Sequence, residues 1–288
     1  MSYAHLITAE QLERRLLQAD LLVLDCRFSL DDPDYGRRAY NAGHLPGAQF
    51  LDLNRDMSAE VIPGQTGRHP LPDPRDLARH LASVGLSLDT QVVAYDDGSG
   101  AYAARAWWLL TWLGKREGVS LLDGGLKAWT DGGGLLTAGV QSTAPGDFKP
   151  DLDTSLVVEA PELRQRLNDP HQRLLDARSL PRYLGREEPI DPIAGHIPGA
   201  VCAPFTDNLQ PDGRFKSPGA LRDRFSALLG DRSDVVAYCG SGVTACHNLF
   251  AMNLAGLPMG RLYPGSWSEW ITDPTRPVQT ETSHDGPS

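Results

Sequence analysis

Ala42-Gly43-His44-Leu45-Pro46-Gly47-Ala48 returns far downstream as Ala194-Gly195-His196-Ile197-Pro198-Gly199-Ala200, with only Leu45 exchanged for Ile197. Working outward, Leu21-Leu22-Val23-Leu24-Asp25 ahead of the first copy is answered by Arg173-Leu174-Leu175-Asp176 ahead of the second. Val92-Val93-Ala94-Tyr95 reappears as Val235-Val236-Ala237-Tyr238. Asp123-Gly124-Gly125-Leu126-Lys127-Ala128-Trp129 is matched by Pro264-Gly265-Ser266-Trp267-Ser268-Glu269-Trp270. The order is kept throughout. The spacing between copies shortens after the Gly-His motif, so the first copy carries the longer insertion. Each copy exceeds about 100 residues, which indicates a duplicated domain and not a solenoid.

Within each copy, short apolar runs alternate with helical patterns. Strands are predicted over 21–26, 91–96 and 119–123, then 173–178, 234–239 and 260–263. Helices are predicted over 9–18, 75–83, 101–113, 159–168, 219–229 and 243–255, with Thr8 and Gln11 spaced as a capping box. Alternation of this kind predicts an α/β fold, each copy a central, mainly parallel sheet flanked by helices. The boundaries read as a first domain over 5–137, a Gly- and Pro-containing linker over 138–152, a second domain over 153–277 and a polar, frayed tail over 278–288.

The 288 residues are 41% hydrophobic and 22% charged, a globular composition. No apolar run nears the roughly 18 residues that span a bilayer, and the N-terminus lacks a signal-peptide pattern, so a cytoplasmic protein without a membrane partner is expected. A net charge of −10 disfavours nucleic acid. Small anions remain possible partners, because nearby arginines dominate within about 10 Å. The cysteines are Cys26, Cys202, Cys239 and Cys246; none forms a C-x-x-C pair, and no metal or cofactor is expected.

The chemistry concentrates after the second Val-Val-Ala-Tyr, where the chain continues Cys239-Gly240-Ser241-Gly242-Val243-Thr244-Ala245 into a helical pattern. A strand, a Gly-rich loop and a helix N-terminus place peptide N–H groups and the positive end of a helix dipole around the first loop residue. Such a cradle should lower a cysteine pKa from ~8.5 toward neutrality, and it would hold a persulfide equally well. A buried structural cysteine is the ordinary alternative. The first copy weakens that alternative: it keeps the scaffold but has Asp96 in the place of Cys239. The other cysteines have no such loop and read as core or surface thiols. A phosphatase loop would need an arginine six residues after the cysteine; Ala245 stands there, and Tyr238 stands where a histidine would precede it.

The tandem Gly-His-(Leu/Ile)-Pro-Gly-Ala motifs, the loop Cys239 to Cys246 and Gly265-Ser266-Trp267-Ser268-Glu269-Trp270 together resemble the tandem-domain rhodanese family over residues 5–277. That family comprises thiosulfate and 3-mercaptopyruvate sulfurtransferases. The resemblance implies two rhodanese-like domains, the first catalytically silent, and a ping-pong cycle. Cys239 takes sulfur from a small anionic donor, then passes it to cyanide or a thiol acceptor such as a thioredoxin-like dithiol. A loop without Arg or Lys is similar to the mercaptopyruvate branch, which makes Ser241 and His69 candidate proton-transfer residues. The amides of Gly240, Gly242, Val243 and Thr244 would cradle the anion.

The family's carboxylate-binding arginine falls on Arg182. Its second arginine has no counterpart, since Ile190 and Asp191 occupy that region, and Arg186 is the nearest replacement. The family's relay aspartate falls on Asn54, leaving Asp52 or Asp56 as substitutes. His44 and His196 occur in both copies and read as turn-packing residues. Trp107, Trp108, Trp112 and Trp129 read as packing residues, and Arg178 as the partner of a carboxylate. The expectation is a monomeric 3-mercaptopyruvate sulfurtransferase, with a thiosulfate enzyme or a low-turnover persulfide carrier as alternatives.

Overall fold

The computed structural model describes residues 5–139 and 143–281. Residues 140–142 of the expected linker and 282–288 of the expected tail lie outside them. Two compact units form. One comprises Met1–Ala59, Leu71–Thr154 and Leu209–Phe215; the other comprises Glu60–Pro70, Ser155–Asn208 and Lys216–Ser288.

In the first unit the chain runs β1 (Leu6–Ile7), α1 (Ala9–Glu13), β2 (Leu21–Asp25), α2 (Tyr35–Ala42), β3 (Gln49–Phe50), α3 (Pro74–Ser83), β4 (Gln91–Tyr95), α4 (Ala101–Trp112), β5 (Val119–Leu122) and α5 (Gly125–Asp131). Its sheet has the order β1-β5-β4-β2-β3, with every pair parallel. The central strands are continuous apolar runs because helices cover both faces. Caps fix the helix starts. Thr8 and Gln11 complete the capping box of α1, and Asp73 accepts the amides of Arg75 and Asp76 ahead of Pro74 in α3. Each such cap contributes about 1 kcal/mol. The helix α4 has almost no polar face, and its Trp108 and Arg105 are fully buried.

The second unit repeats the plan with α6 (Ala160–Gln165), β6 (Gln172–Asp176), α7 (Leu180–Tyr183), β7 (Ala200–Cys202), α8 (Pro218–Leu229), β8 (Asp234–Tyr238), α9 (Thr244–Leu254), β9 (Arg261–Leu262) and α10 (Ser266–Trp270). The parallel sheet has the order β7-β6-β8-β9, and a bridge from Val157 to Leu262 stands where β1 stands in the first unit. The chain leaves β6 toward β7 on one side and returns to β8 on the other. The carboxyl ends of β6 and β8 therefore flank a topological switch point, the usual ligand position in such sheets. Val158, Leu163, Leu174, Val236, Tyr263 and Trp267 fill the core beneath it.

The sequence boundaries need four corrections. Glu60–Pro70 belongs to the second unit and Leu209–Phe215 to the first, so neither unit is contiguous. The described part of the expected linker packs as a strap on the first unit: Gly146 donates to Ala82 O, Phe148 to Leu86 O, and Asp151 to Leu113 O. The expected tail is held as far as residue 281, because Gln279 and His196 exchange both backbone hydrogen bonds. The helix predicted over 9–18 also stops at Glu13, where amides begin to bond three residues back.

Candidate active site

Cys239 directly follows β8 and is 2% exposed. The amide of Gly242 donates to its Sγ at 3.1 Å. Gly242 has φ +78°, and a Cβ there would lie 2.4 Å from Pro264 O, so both the turn and the close approach demand glycine. The loop rests on α10: Trp267 N donates to Cys239 O and Ser268 N to Gly240 O, both at 2.9 Å. Ser266 Oγ accepts the Cys239 amide at 3.1 Å and donates to Tyr263 O at 3.0 Å. Ser266 is also the only described non-glycine residue with positive φ, +55°. A side chain held there costs about 1–3 kcal/mol and marks strain retained at a site.

Segment 67–69 docks on the same short helix. A Cβ on Gly67 would meet Gly265 O, and Arg68 N donates to Ser268 Oγ at 3.1 Å. That docking delivers His69, whose Nδ1 shares a 2.8 Å hydrogen bond with Ser241 Oγ. Both side chains are buried. Ser241, two residues after Cys239, thus carries a hydroxyl paired with an imidazole, an arrangement that can pass a proton.

Charged groups form a chain from the end of β6 to this segment. Arg178 clasps Asp176 at 2.7 Å and reaches Glu188 at 3.3 Å; Arg182 binds Glu188 at 2.6 Å and Asp191 at 3.2 Å; Asp191 also pairs with Arg68. Burial opposes ionisation of Glu188, but hydrogen bonds from Arg182 and from the Asp191 amide bring its pKa below the ordinary carboxylate value. Burial raises that of Asp191 despite Arg68 and Arg182. Three arginines face three carboxylates, so the chain as a whole is neutral.

The structure brings together Cys239, Gly240, Ser241, Gly242, His69 and Arg182. Val243 is the N-cap residue of α9, and Thr244 opens the helix. Arg186 is a correction: its exposed guanidinium pairs with Glu281, whose amide donates to Leu184 O, and this ties it to the C-terminal segment. Asp52 and Asp56 take local partners. Asp52 accepts the amides of Asn54 and Arg55, and Asp56 accepts that of Asp52.

The packing assignments hold in detail. His44 stacks on Tyr40 and its Nδ1 bonds Tyr40 O; His196 does the same with Tyr183. Arg178 pairs with Asp176 and lies over the Trp267 ring at 4.7 Å. Burial raises the Cys26 pKa well above that of a free thiol and pushes Cys202 up to about 12, so both stay protonated and poorly nucleophilic. Two residues escaped the sequence reading. Ser266 sits at the position of Gly125 in the repeat, a serine in place of a positive-φ glycine, and that exchange was the available signal. Arg68 carried no signal of its own in the sequence.

Comparison with known proteins identifies the family. The rhodanese-like domain family matches residues 8–131 and again 159–273. A Pseudomonas aeruginosa protein named "Probable 3-mercaptopyruvate sulfurtransferase" is 64% identical over 282 residues, covering 97% of this chain and 99% of that protein. A thiosulfate sulfurtransferase of Cricetulus griseus is 37% identical over 271 residues, covering 91% and 89%. The structure of 3-mercaptopyruvate sulfurtransferase from Leishmania major superposes with a TM-score of 0.81 at 30% identity, covering 93% of this chain and 74% of that one. With a duplicated parallel-sheet unit, one cysteine loop and family matches in both copies, the chain belongs to the rhodanese family as a tandem pair of rhodanese-like domains.

Proposed function

We propose that the protein is a 3-mercaptopyruvate sulfurtransferase that carries sulfur on Cys239. The Cys239 thiolate attacks the substrate sulfur and an S–S bond forms. The carbon–sulfur bond breaks, and its electron pair passes to the pyruvate enolate. That enolate needs a proton, and the Ser241–His69 hydrogen bond is the observation that carries this reading: Ser241 Oγ donates and His69 resupplies it. The amides from Gly240 to Thr244 surround the persulfide, and Arg182 adds positive charge. A thiol, such as a thioredoxin-like dithiol, or cyanide then removes the outer sulfur.

The neutral charge chain suits a monoanionic carboxylate better than a dianion. The 64% identical relative carries the same activity in its name. A thiosulfate sulfurtransferase is the second reading, favoured by two guanidinium groups, those of Arg68 and Arg182, near Gly240. Steady-state kinetics with both donors side by side tests the choice. A higher kcat/KM for 3-mercaptopyruvate is expected, and a higher value for thiosulfate overturns the assignment. A reducing cytoplasm suits four unpaired thiols, and a monomer contains every residue named in the mechanism.

A further inference from the structure

We infer that Arg68, and not Arg186, is the principal carboxylate-gripping residue beside Cys239, with Arg182 as its auxiliary. This rests on Cys239 being the sulfur-carrying nucleophile. A Cβ built on Gly240 would lie 2.8 Å from Arg68 Nη2 and 3.7 Å from both Nη1 and Nη2 of Arg182. Two guanidinium groups therefore converge on the residue that follows the nucleophile, and the missing side chain of Gly240 leaves them room.

The two arginines differ in which edge is engaged. A guanidinium grips a carboxylate best through two parallel N–H groups, and the Nε and Nη2 edge is one such fork. In Arg182 that edge is taken, since Nε and Nη2 both bind Glu188. In Arg68 the ion pair with Asp191 uses Nη1, on the opposite edge. Its Nε is buried without a hydrogen-bond partner, and its Nη2 lies against Gly240. A buried unsatisfied donor is costly and is satisfied when an acceptor arrives. Arg68 thus keeps an unpaired Nε, with Nη2 against Gly240, beside the nucleophile, and Asp191 bridges both guanidinium groups. The ligand class is a small carboxylate with its sulfur near Cys239 Sγ.

The test uses the full chain and compares alkylation of Cys239 by iodoacetate, which carries a carboxylate, with alkylation by the neutral iodoacetamide, read by peptide mass. The iodoacetate-to-iodoacetamide rate ratio should fall about ten- to a hundredfold in Arg68→Ala, the loss of a charged bidentate contact. Arg68→Lys, which keeps the charge without the fork, should fall between the two. Thermal melting checks that the variants fold, and the conservative lysine variant carries the test if the alanine variant does not. A wild-type ratio in either folded variant overturns the inference. A lowered ratio in a protein that does not turn over 3-mercaptopyruvate would remove the proposed donor but leave the Arg68 fork standing.

Discussion

The loops that follow β4 and β8 share one frame and differ in what sits at its centre. In the first unit Asp96 Oδ1 accepts the amides of Gly98 and Gly100, and Oδ2 accepts those of Tyr102 and Ala103. In the second, Cys239 Sγ stands at the same place and takes the Gly242 amide. The supports correspond as well: Leu126 and Lys127 donate to Asp96 O and Asp97 O, as Trp267 and Ser268 donate to Cys239 O and Gly240 O. A loop of this kind binds an anion. In one unit the anion is a permanent carboxylate that caps α4; in the other the centre is held by a sulfur that can react. The supporting turn differs in parallel. Gly125 takes φ +58° without strain, whereas Ser266 takes +55° and gains a hydroxyl on the Cys239 amide.

The comparison breaks most visibly at the two central residues. Cys239→Ser should lose at least about a thousandfold in turnover, as removal of a covalent nucleophile does, and should shift the urea midpoint little. Asp96→Ala should do the reverse. It strands several buried amides and should cost the first unit about 3 kcal/mol or more, measured by urea unfolding. A neutral Asp96→Ala would show that the carboxylate is not the cap described here.

Ser266 sharpens the comparison. Ser266→Ala and Ser266→Gly both remove the hydroxyl from the Cys239 amide, and turnover should fall about tenfold through a misplaced nucleophile. Glycine relieves the backbone, so it should be more stable than alanine by about 1 kcal/mol. Equal stabilities would mean that position 266 stores no strain.

The smallest effect is a difference in pH dependence between the units. Burial raises the Asp96 pKa despite its four amides. Wild type should therefore gain stability relative to Asp96→Asn as pH falls from that raised value toward the unfolded value of ~3.9. The Glu188 pKa is lowered, so its contribution is present above the unfolded value of ~4.3 and is lost as pH falls through the folded one. Urea midpoints of wild type minus Asp96→Asn and of wild type minus Glu188→Gln, plotted against pH, should slope in opposite directions.

Much of this was legible in the residues. The repeats around Gly43-His44 and Gly195-His196 marked the duplication, and the apolar runs at 21–25 and 234–238 marked central strands. Short elements were not legible. The strands β1 and β3 are two residues long, and α7 and α10 are too short to show a helical period. At the site, Cys239 followed from the loop type, and Ser241 and His69 from the family resemblance. Arg68 did not, because its role depends on segment 60–70 joining the second unit and on which guanidinium edge meets Asp191. Arg186 misled for the mirror reason, since proximity in sequence to Gly195 does not fix where a long side chain finds its counter-charge.

Peptide mass mapping after exposure to 3-mercaptopyruvate addresses the central claim most directly. The account predicts an added mass of about 32 Da, one sulfur held as a persulfide, on the Cys239 peptide alone and removed by cyanide. Sulfur on Cys26, Cys202 or Cys246, or none on Cys239 in a protein that still turns over, would contradict it.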